Sequence, residues 1–429
     1  MMKVAFYTLG CKVNLYETQA VSNMFRNANY EVVSNSSVAD IYIINTCTVT
    51  NTSASKSRKV IKSAIRKNNE AIIVVMGCYA QASSKELEEL GVNIIVGTKD
   101  RSKIVELVEQ YIENKKNINI VGSIDDIPFE DMEVSFLEGK TRAFVKIQDG
   151  CENYCSYCII PYTRGGVRSK NKGLVIDEIT KLVNNGYLEI VLTGIHTGHY
   201  GFDDYSFADL LNDVSKIEGL KRLRISSIEI TELNDQVLNV LRTNNIIVDH
   251  LHIPLQSGSD EILKLMNRKY DKKYFMDKIN LIRSIRKDIA ITTDVIVGFP
   301  YEEEKHFEET YKFIEEIGFF ALHVFPYSKR EGTKAASMPN QVNGNVKKER
   351  VKKLIELSKK LELKYMNQFL NKELEVIPEK YEDGYLIGHS SNYLKIKLPG
   401  DENDIGKIVT CIIDEIKYPY CIARKKENY

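Results

Sequence analysis

No run in this chain approaches the roughly 18 consecutive apolar residues that a membrane-spanning helix needs. The longest candidates, residues 71–77 and 289–299, read as buried strands. The start of the chain lacks the basic region and apolar stretch of a secretory signal, and opens directly on a strand-like segment at 3–9. A cytoplasmic protein with no membrane partner is therefore expected. Net charge is also missing: 59 Lys and Arg balance 59 Asp and Glu. That balance leaves a nucleic-acid partner open, because a local basic surface can do the steering. A secreted disulfide framework is absent too. Of the eight cysteines, three crowd into residues 151–158, three are scattered over the first eighty residues, and two lie near the C-terminus. Such a distribution suits free thiols and metal ligands.

What is present is a globular composition, 43% hydrophobic over 429 residues, enough for about two to three domains. In the first third, strand-like runs at 3–9, 41–46, 71–77 and 93–97 alternate with helical patterns at 15–26, 55–66, 84–90 and 101–113. Alternation of this kind predicts a parallel sheet with helices on its faces. Residues 1–116 are taken as this first domain and the polar, acidic residues 117–136 as a linker. A second βα series, with strands near 143–148, 189–193, 223–226, 250–254, 291–297 and 321–325, predicts a partial β/α barrel over 137–368. Its chemistry is expected at the C-terminal strand ends. That unit closes with a basic helical stretch at 347–368, whose stripe is Leu354, Leu357, Leu361 and Met366. Residues 369–429 alternate as short strands around the Asp383-Gly384 turn signal, and predict a small antiparallel β-barrel. The fold class is α/β.

The loop after the first barrel strand reads Gly150-Cys151-Glu152-Asn153-Tyr154-Cys155-Ser156-Tyr157-Cys158. A structural zinc site usually closes with four ligands in Cys-x2-Cys pairs, so zinc here would need a distant fourth residue. A cubane [4Fe–4S] cluster held by Cys151, Cys155 and Cys158 would instead keep one iron open, able to chelate the amino and carboxylate groups of S-adenosylmethionine. Tyr157 is placed to pack near the adenine. Cys-x3-Cys-x2-Cys in this position resembles the signature of the radical S-adenosylmethionine superfamily.

Cys11, Cys47 and Cys78 each follow a hydrophobic strand and precede a helix. One such cysteine reads as a core residue. Three at equivalent topological positions point to a shared metal centre, because strand C-termini in open α/β sheets line one crevice. With the radical loop, this resembles the radical S-adenosylmethionine methylthiotransferase family over essentially the whole chain. Leu9-Gly10-Cys11-Lys12-Val13-Asn14 with Glu17, and Asn45-Thr46-Cys47-Thr48-Val49-Thr50 followed by Lys56-Ser57-Arg58, look like the branch that acts on N6-threonylcarbamoyladenosine. Branches acting on isopentenyladenosine or on a ribosomal protein differ at the first motif and are the alternatives. A non-catalytic iron–sulfur RNA-binding sensor is a third.

The resemblance implies methylthiolation at C2 of N6-threonylcarbamoyladenosine beside the tRNA anticodon. It implies two [4Fe–4S] clusters, S-adenosylmethionine, an external electron donor, a sulfur donor and tRNA as partners. In that scheme sulfur is carried at the cluster on Cys11, Cys47 and Cys78 and methylated by one S-adenosylmethionine. A second is cleaved at the other cluster, and its radical activates a C2–H that has no useful acidity. The resemblance also makes the C-terminal barrel a TRAM-like RNA-binding module. Residues at barrel-strand ends are the candidate cofactor contacts: Gly194 for close backbone approach, Arg224, Ser226 and Glu229 as a mixed polar set, Gln256 for a ribose or base edge, and Asp294 for a hydroxyl. His196 and His199 are expected to hydrogen-bond on the substrate side. His250 and His252 are read as strand residues, and Cys411 and Cys421 as small core residues. Tyr301 stands where the family commonly has glycine and is assigned no contact.

Overall fold

The computed structural model describes residues 1–134 and 141–426. Residues 135–140, which hold the end of the expected linker and the start of the expected central unit, and residues 427–429 lie outside the described residues.

The first unit is a parallel sheet of Lys3–Thr8, Glu31–Val33, Ile41–Thr46, Ile72–Gly77, Ile94–Val96 and Ile118–Asn119. In space the second strand lies outside the first, and the third to sixth follow on the other side. Every residue of Ile41–Thr46 and Ile72–Gly77 is buried, as expected for central parallel strands covered on both faces. The four expected strands are all present. Two further strands, Glu31–Val33 and Ile118–Asn119, form the edges. They are too short and too polar to show a period of two. Because the order reverses between Lys3–Thr8 and Ile41–Thr46, the switch point of the sheet falls between those strands, where an open α/β sheet places its crevice. Cys11 and Cys47 follow these two strands.

The second unit has six parallel strands in two groups: Arg142–Lys146, Glu189–Thr193 and Arg222–Ile225, then His250–His252, Ala290–Val297 and Ala321–Pro326. A parallel bridge between Leu223 and Ile247 joins them. Spatial order follows sequence order, giving an open β/α barrel. One apolar core runs from Val4, Phe25 and Ile43 of the first sheet to Val145, Ile190 and Leu223 of the barrel. The helix Gly344–Asn367 buries Leu354, Leu357, Leu361 and Met366, each side chain contributing about 1.5–3 kcal/mol of transfer free energy.

The third unit is a closed antiparallel-type barrel of Glu373–Glu382, Tyr385–Ser390, Lys395–Pro399, Tyr420–Lys425 and Val409–Lys417, in that order. Tyr420–Lys425 closes it, pairing antiparallel with Val409–Lys417 and parallel with Lys395–Pro399. Its mixed run of tyrosine, cysteine and charge hides that strand in the sequence. Leu394, Ile396, Leu398, Cys411 and Cys421 are wholly buried. Lys395 and Lys397 stand on the outer face, each ammonium 4.5 Å from a tyrosine ring, those of Tyr420 and Tyr385. Among the described residues no helix is long and apolar enough to cross a membrane.

Candidate active site

The first cysteine set gathers at helix starts. Cys11 is the N-cap of Lys12–Asn27, Cys78 opens Cys78–Ala82, and Cys47 lies just before Asn51–Lys67. The partial positive charge of a helix N-terminus favours a thiolate. Gly10, at φ +107°, puts its backbone against Cys47: a Cβ there would lie 2.8 Å from the Cys47 Cβ and 3.1 Å from its Sγ. Each thiol senses at least one other of the set electrostatically. Burial pushes the Cys78 thiol up, and the Arg164 guanidinium, whose Nε donates to Cys78 Sγ at 3.2 Å, opposes the shift.

The second set sits on the loop after the first barrel strand. Gly150 turns at φ +76°, so close to its neighbours that a Cβ would lie 1.8 Å from the Gly166 carbonyl oxygen. Cys151 N–H donates to Gly165 O at 3.1 Å, Ser156 N–H to Met266 O at 3.0 Å, and Ala335 N–H to Ser156 O at 2.7 Å. Three segments distant in sequence thus pin the loop. Arg268 donates Nη1 to Cys155 Sγ at 3.3 Å and pairs with Glu229. Burial pushes the Cys158 thiol up to about 12.

The donor sets themselves test which inorganic group fits. Among the described residues, the groups with donor atoms close enough to share one ion are His196/His199/Glu232 and His252/Asp294/His323; neither cysteine set is among them. Thiolates on one tetrahedral zinc would be about 3.8 Å apart, from a Zn–S bond of about 2.3 Å. Three thiols held further apart, with no fourth, suit a polynuclear cluster with one open metal.

A cavity of about 960 Å³ opens between all three units. Cys11 and Lys12 reach it from the first sheet. Gly194, Arg224, Ser226, Glu229 and Asp294 line it from the barrel, and Glu379, Lys380 and Tyr393 from the C-terminal barrel. His250 and His252 line it as well, as does His196 but not His199. Tyr157 and Gln256 are not lining residues. The Tyr157 ring stands edge-on to Phe299, 6.4 Å between centroids, in an apolar cluster with Ile262 and Met266. Gln256 has left-handed backbone at φ +66° and exchanges backbone hydrogen bonds with Asp294 and Ile296. Gly194 lies against Gln148, where a Cβ would come within 3.0 Å of Oε1. Asp294 Oδ1 is 3.3 Å from His252 Nε2 and 3.2 Å from His323 Nδ1. These contacts outweigh burial and hold its carboxyl well below the usual range. His196 pairs with Glu232, and its Nδ1 is 3.8 Å from Cys151 Sγ.

The sequence did not reveal the charged cluster that joins the two cysteine sets. Glu17 and Asp149, both buried, face Arg101, Lys146 and Arg164. Burial alone would raise the Glu17 carboxyl, but the charges of Arg101, Arg164 and Lys146 outweigh it and keep it ionised. Gln148 was missed as well. Its amide donates to the carbonyls of Asp149 and Gly150 and accepts from His196 N–H at 2.7 Å, tying the root of the cysteine loop to the next strand end.

Residues 3–97 match the family described as Uncharacterized protein family UPF0004, and residues 145–314 match the Radical SAM superfamily. The chain is 50% identical, over 98% of its length and 95% of the relative's, to Threonylcarbamoyladenosine tRNA methylthiotransferase MtaB of Bacillus subtilis (strain 168). It is 39% identical to the protein of that name in Aquifex aeolicus (strain VF5), over 96% of this chain and 100% of the relative. To the tRNA-2-methylthio-N(6)-dimethylallyladenosine synthase of Thermoanaerobacter sp. (strain X514) it is 35% identical, over 96% of this chain and 90% of the relative. In fold it is similar to the radical S-adenosylmethionine methyltransferase TsrM from Kitasatospora setae, with a TM-score of 0.59 at 13% identity over 78% of this chain and 77% of that one. Two cysteine sets on a parallel sheet and an open barrel, both family matches, and near-full-length relatives at 50% and 39% identity lead to one conclusion: the chain belongs to the radical S-adenosylmethionine methylthiotransferase family.

Proposed function

We propose that this protein is a tRNA methylthiotransferase that modifies C2 of N6-threonylcarbamoyladenosine beside the anticodon. The observation that carries the reading is that Cys11, from the first sheet, borders the same cavity as the barrel-strand ends that follow the Cys151–Cys158 loop. Sulfur insertion at an unactivated C–H needs both centres to face one substrate; Cys11 lines the cavity, and the radical set adjoins it through His196, 3.8 Å from Cys151 Sγ, and through Glu229, which Arg268 ties to Cys155. Cys11, Cys47 and Cys78 hold one [4Fe–4S] cluster, and Cys151, Cys155 and Cys158 the other. When bound, the clusters and S-adenosylmethionine supply the radical chemistry and the methylthio group.

The chain's own residues bind and orient. Gly194 lets backbone approach the methionyl end of the cofactor, and Glu229, fixed by Arg268, faces the same end. Ser226 and Asp294 offer hydrogen bonds along the cavity. Tyr157 and Gln256 act from behind the lining: one packs under the cysteine loop, and the other sets the strand end that carries Asp294. The outer face of the C-terminal barrel, with Lys395 over Tyr420, Lys397 over Tyr385 and exposed Tyr381, suits phosphate contact and base stacking. A separate electron donor and a sulfur donor complete the cycle, in the cytoplasm where tRNA is found. Residues 1–116, 137–368 and 369–429 are the corresponding cluster, radical and RNA-binding domains; the connection 117–136 begins with Ile118–Asn119, which adds the edge strand to the first sheet.

Nucleoside profiling of tRNA from a deletion strain, with and without this chain, tests the substrate. Appearance of 2-methylthio-N6-threonylcarbamoyladenosine supports the reading. Its absence, or a methylthio mark on dimethylallyladenosine instead, overturns it. Release of 5′-deoxyadenosine under anaerobic reduction separates an enzyme from an iron–sulfur RNA-binding sensor.

A further inference from the structure

The floor of the cavity holds positive charge that the protein leaves unanswered. Arg224 is 2% exposed. Its Nε donates to Glu189 at 2.8 Å, its guanidinium lies 4.9 Å from the Tyr393 ring centroid, and its buried Nη1 has no hydrogen-bond partner. Glu189 also faces Arg142 at 3.5 Å and Arg222 at 3.8 Å, so a single carboxylate answers three guanidinium charges. Lys12, an exposed side chain at the start of Lys12–Asn27, lines the same cavity, within electrostatic reach of Arg224, Arg142 and Asp294. Its ammonium makes no hydrogen bond or close ion pair with the described residues. Asp294 is engaged by His252 and His323. A buried guanidinium N–H without a partner costs free energy in the empty protein and is repaid when a ligand supplies an acceptor.

Depth within the barrel separates this point from the cofactor end. Arg224 lies inside the strand Arg222–Ile225, whereas Glu229 lies beyond its end. Glu229, five residues after Arg224, is tied through Arg268 to Cys155. Arg224 instead meets Tyr393 and the Ser391 carbonyl of the C-terminal barrel. The orphaned Arg224 Nη1 therefore belongs to the end of the cavity that faces the C-terminal barrel.

We infer that Lys12 Nζ and Arg224 Nη1 form a carboxylate-binding subsite that receives the threonine carboxylate on N6 of the substrate adenosine. This inference rests on the reading that N6-threonylcarbamoyladenosine is the substrate. A planar guanidinium edge and an ammonium lining one cavity complement a carboxylate. An apolar N6 substituent would bury both donors unpaired, so the same pair disfavours dimethylallyladenosine.

The test uses the cluster-reconstituted full chain and three anticodon stem–loop RNAs. They carry the threonylcarbamoyl group, its uncharged threoninamide analogue, or a dimethylallyl group. RNA binding is measured without cofactor, methylthio product with it, and S-adenosylmethionine binding by equilibrium dialysis; iron content confirms loading. The unaltered protein is expected to prefer the carboxylate RNA over the amide by about 10- to 100-fold, the range of a charge-assisted hydrogen bond. Lys12→Met reduces that preference to about threefold or less, since the partner charge is removed. Lys12→Arg retains most of it. Arg224→Lys, which keeps a charge beside Glu189, loses part of it.

If the unaltered protein methylthiolates the carboxylate RNA yet binds acid and amide equally, or Lys12→Met keeps the full preference, the inference falls and the proposed function stands. If Lys12→Met loses cofactor affinity while keeping RNA discrimination, the carboxylate is that of S-adenosylmethionine and the inference is overturned. If only dimethylallyl RNA is modified, the proposed function fails and the subsite fails with it.

Discussion

Arg164 donates its Nε to Cys78 Sγ over 3.2 Å. Its Nη1 meets Asp149 Oδ1 at 3.0 Å and Glu17 Oε1 at 2.9 Å, and its Nη2 meets Asn14 Oδ1 at 3.0 Å. Asp149 lies two residues before Cys151, so one side chain joins the root of the radical loop to the first cysteine set. Arg164→Met leaves Glu17 and Asp149 buried with one cation fewer. Breaking a buried pair in this way typically costs about 3–5 kcal/mol. The expected outcome is an earlier first unfolding transition in urea, measured on the thiol-reduced chain without clusters. Arg164→Lys restores the charge but not the fork, and should recover only part of the loss.

Gly150 has a different vulnerability. It adopts φ +76°, and an added Cβ would fall 1.8 Å from the Gly166 carbonyl oxygen. Backbone on both sides has to move, and the loop carrying Cys151, Cys155 and Cys158 moves with it. Gly150→Ala should lose about half of the iron and acid-labile sulfide per chain, because the set at Cys11, Cys47 and Cys78 is untouched. Gly91→Ala is the control: its φ is +80°, but a Cβ there meets nothing within 4 Å. That substitution should cost only about 1 kcal/mol of backbone strain and leave the iron content intact.

These two cases mark what could and could not be read from the chain. The cysteine loop was legible because its spacing is local. Cys11, Cys47 and Cys78 were legible because each stands at the same step of a βα pattern. Arg164, Glu17 and Asp149 come together from a short helix after the radical loop, a helix of the first sheet and the end of a barrel strand. Nothing in the local sequence marks them as partners, although Glu17 belongs to the motif that follows Cys11. Lys12 was likewise visible in a motif, but its approach to Arg224 depends on how the first sheet sits on the barrel. Tyr157 shows the limit of locality: its place beside Cys158 is read from the sequence, whereas its edge-on contact with Phe299 comes from packing. Short edge strands and the closing strand Tyr420–Lys425 were hidden because tertiary pairing, not periodicity, defines them.

The docking of the C-terminal barrel is predicted to depend on pH through Glu379. Burial would raise its carboxyl, but His389 at 2.6 Å and Arg142 at 2.5 Å outweigh burial and bring it from 4.5 to about 2. A carboxyl depressed in the folded state stabilises fully above its unfolded value and loses that contribution as pH falls through the folded one. The stabilisation is therefore present above about pH 4.5 and fades toward pH 2. Partial exposure limits it to about 1–2 kcal/mol. Glu379→Gln should lower the melting temperature at pH 7, the gap should narrow below about pH 4.5, and the two melting curves should converge only at about pH 2. A difference that is constant with pH would assign the effect to packing instead.

The two cysteine sets should separate cleanly by substitution, because different elements carry them. Cys155→Ala removes a thiol from the barrel loop, which Arg268 and Gly150 position. It should halve the iron content and abolish 5′-deoxyadenosine release. Cys78→Ala removes a thiol from the first sheet, where Arg164 is its main polar contact. It should also halve the iron, yet S-adenosylmethionine cleavage should continue while methylthio product disappears. The alanine leaves Arg164 its contacts to Asp149, Glu17 and Asn14, so the radical loop keeps its anchor. Iron content, deoxyadenosine and modified nucleoside measured on one preparation decide the matter. If Cys78→Ala lost deoxyadenosine as completely as Cys155→Ala, the sets would not be independent. The Arg164–Asp149 link would then be transmitting the damage, which Asp149→Asn, with all six cysteines in place, would reproduce.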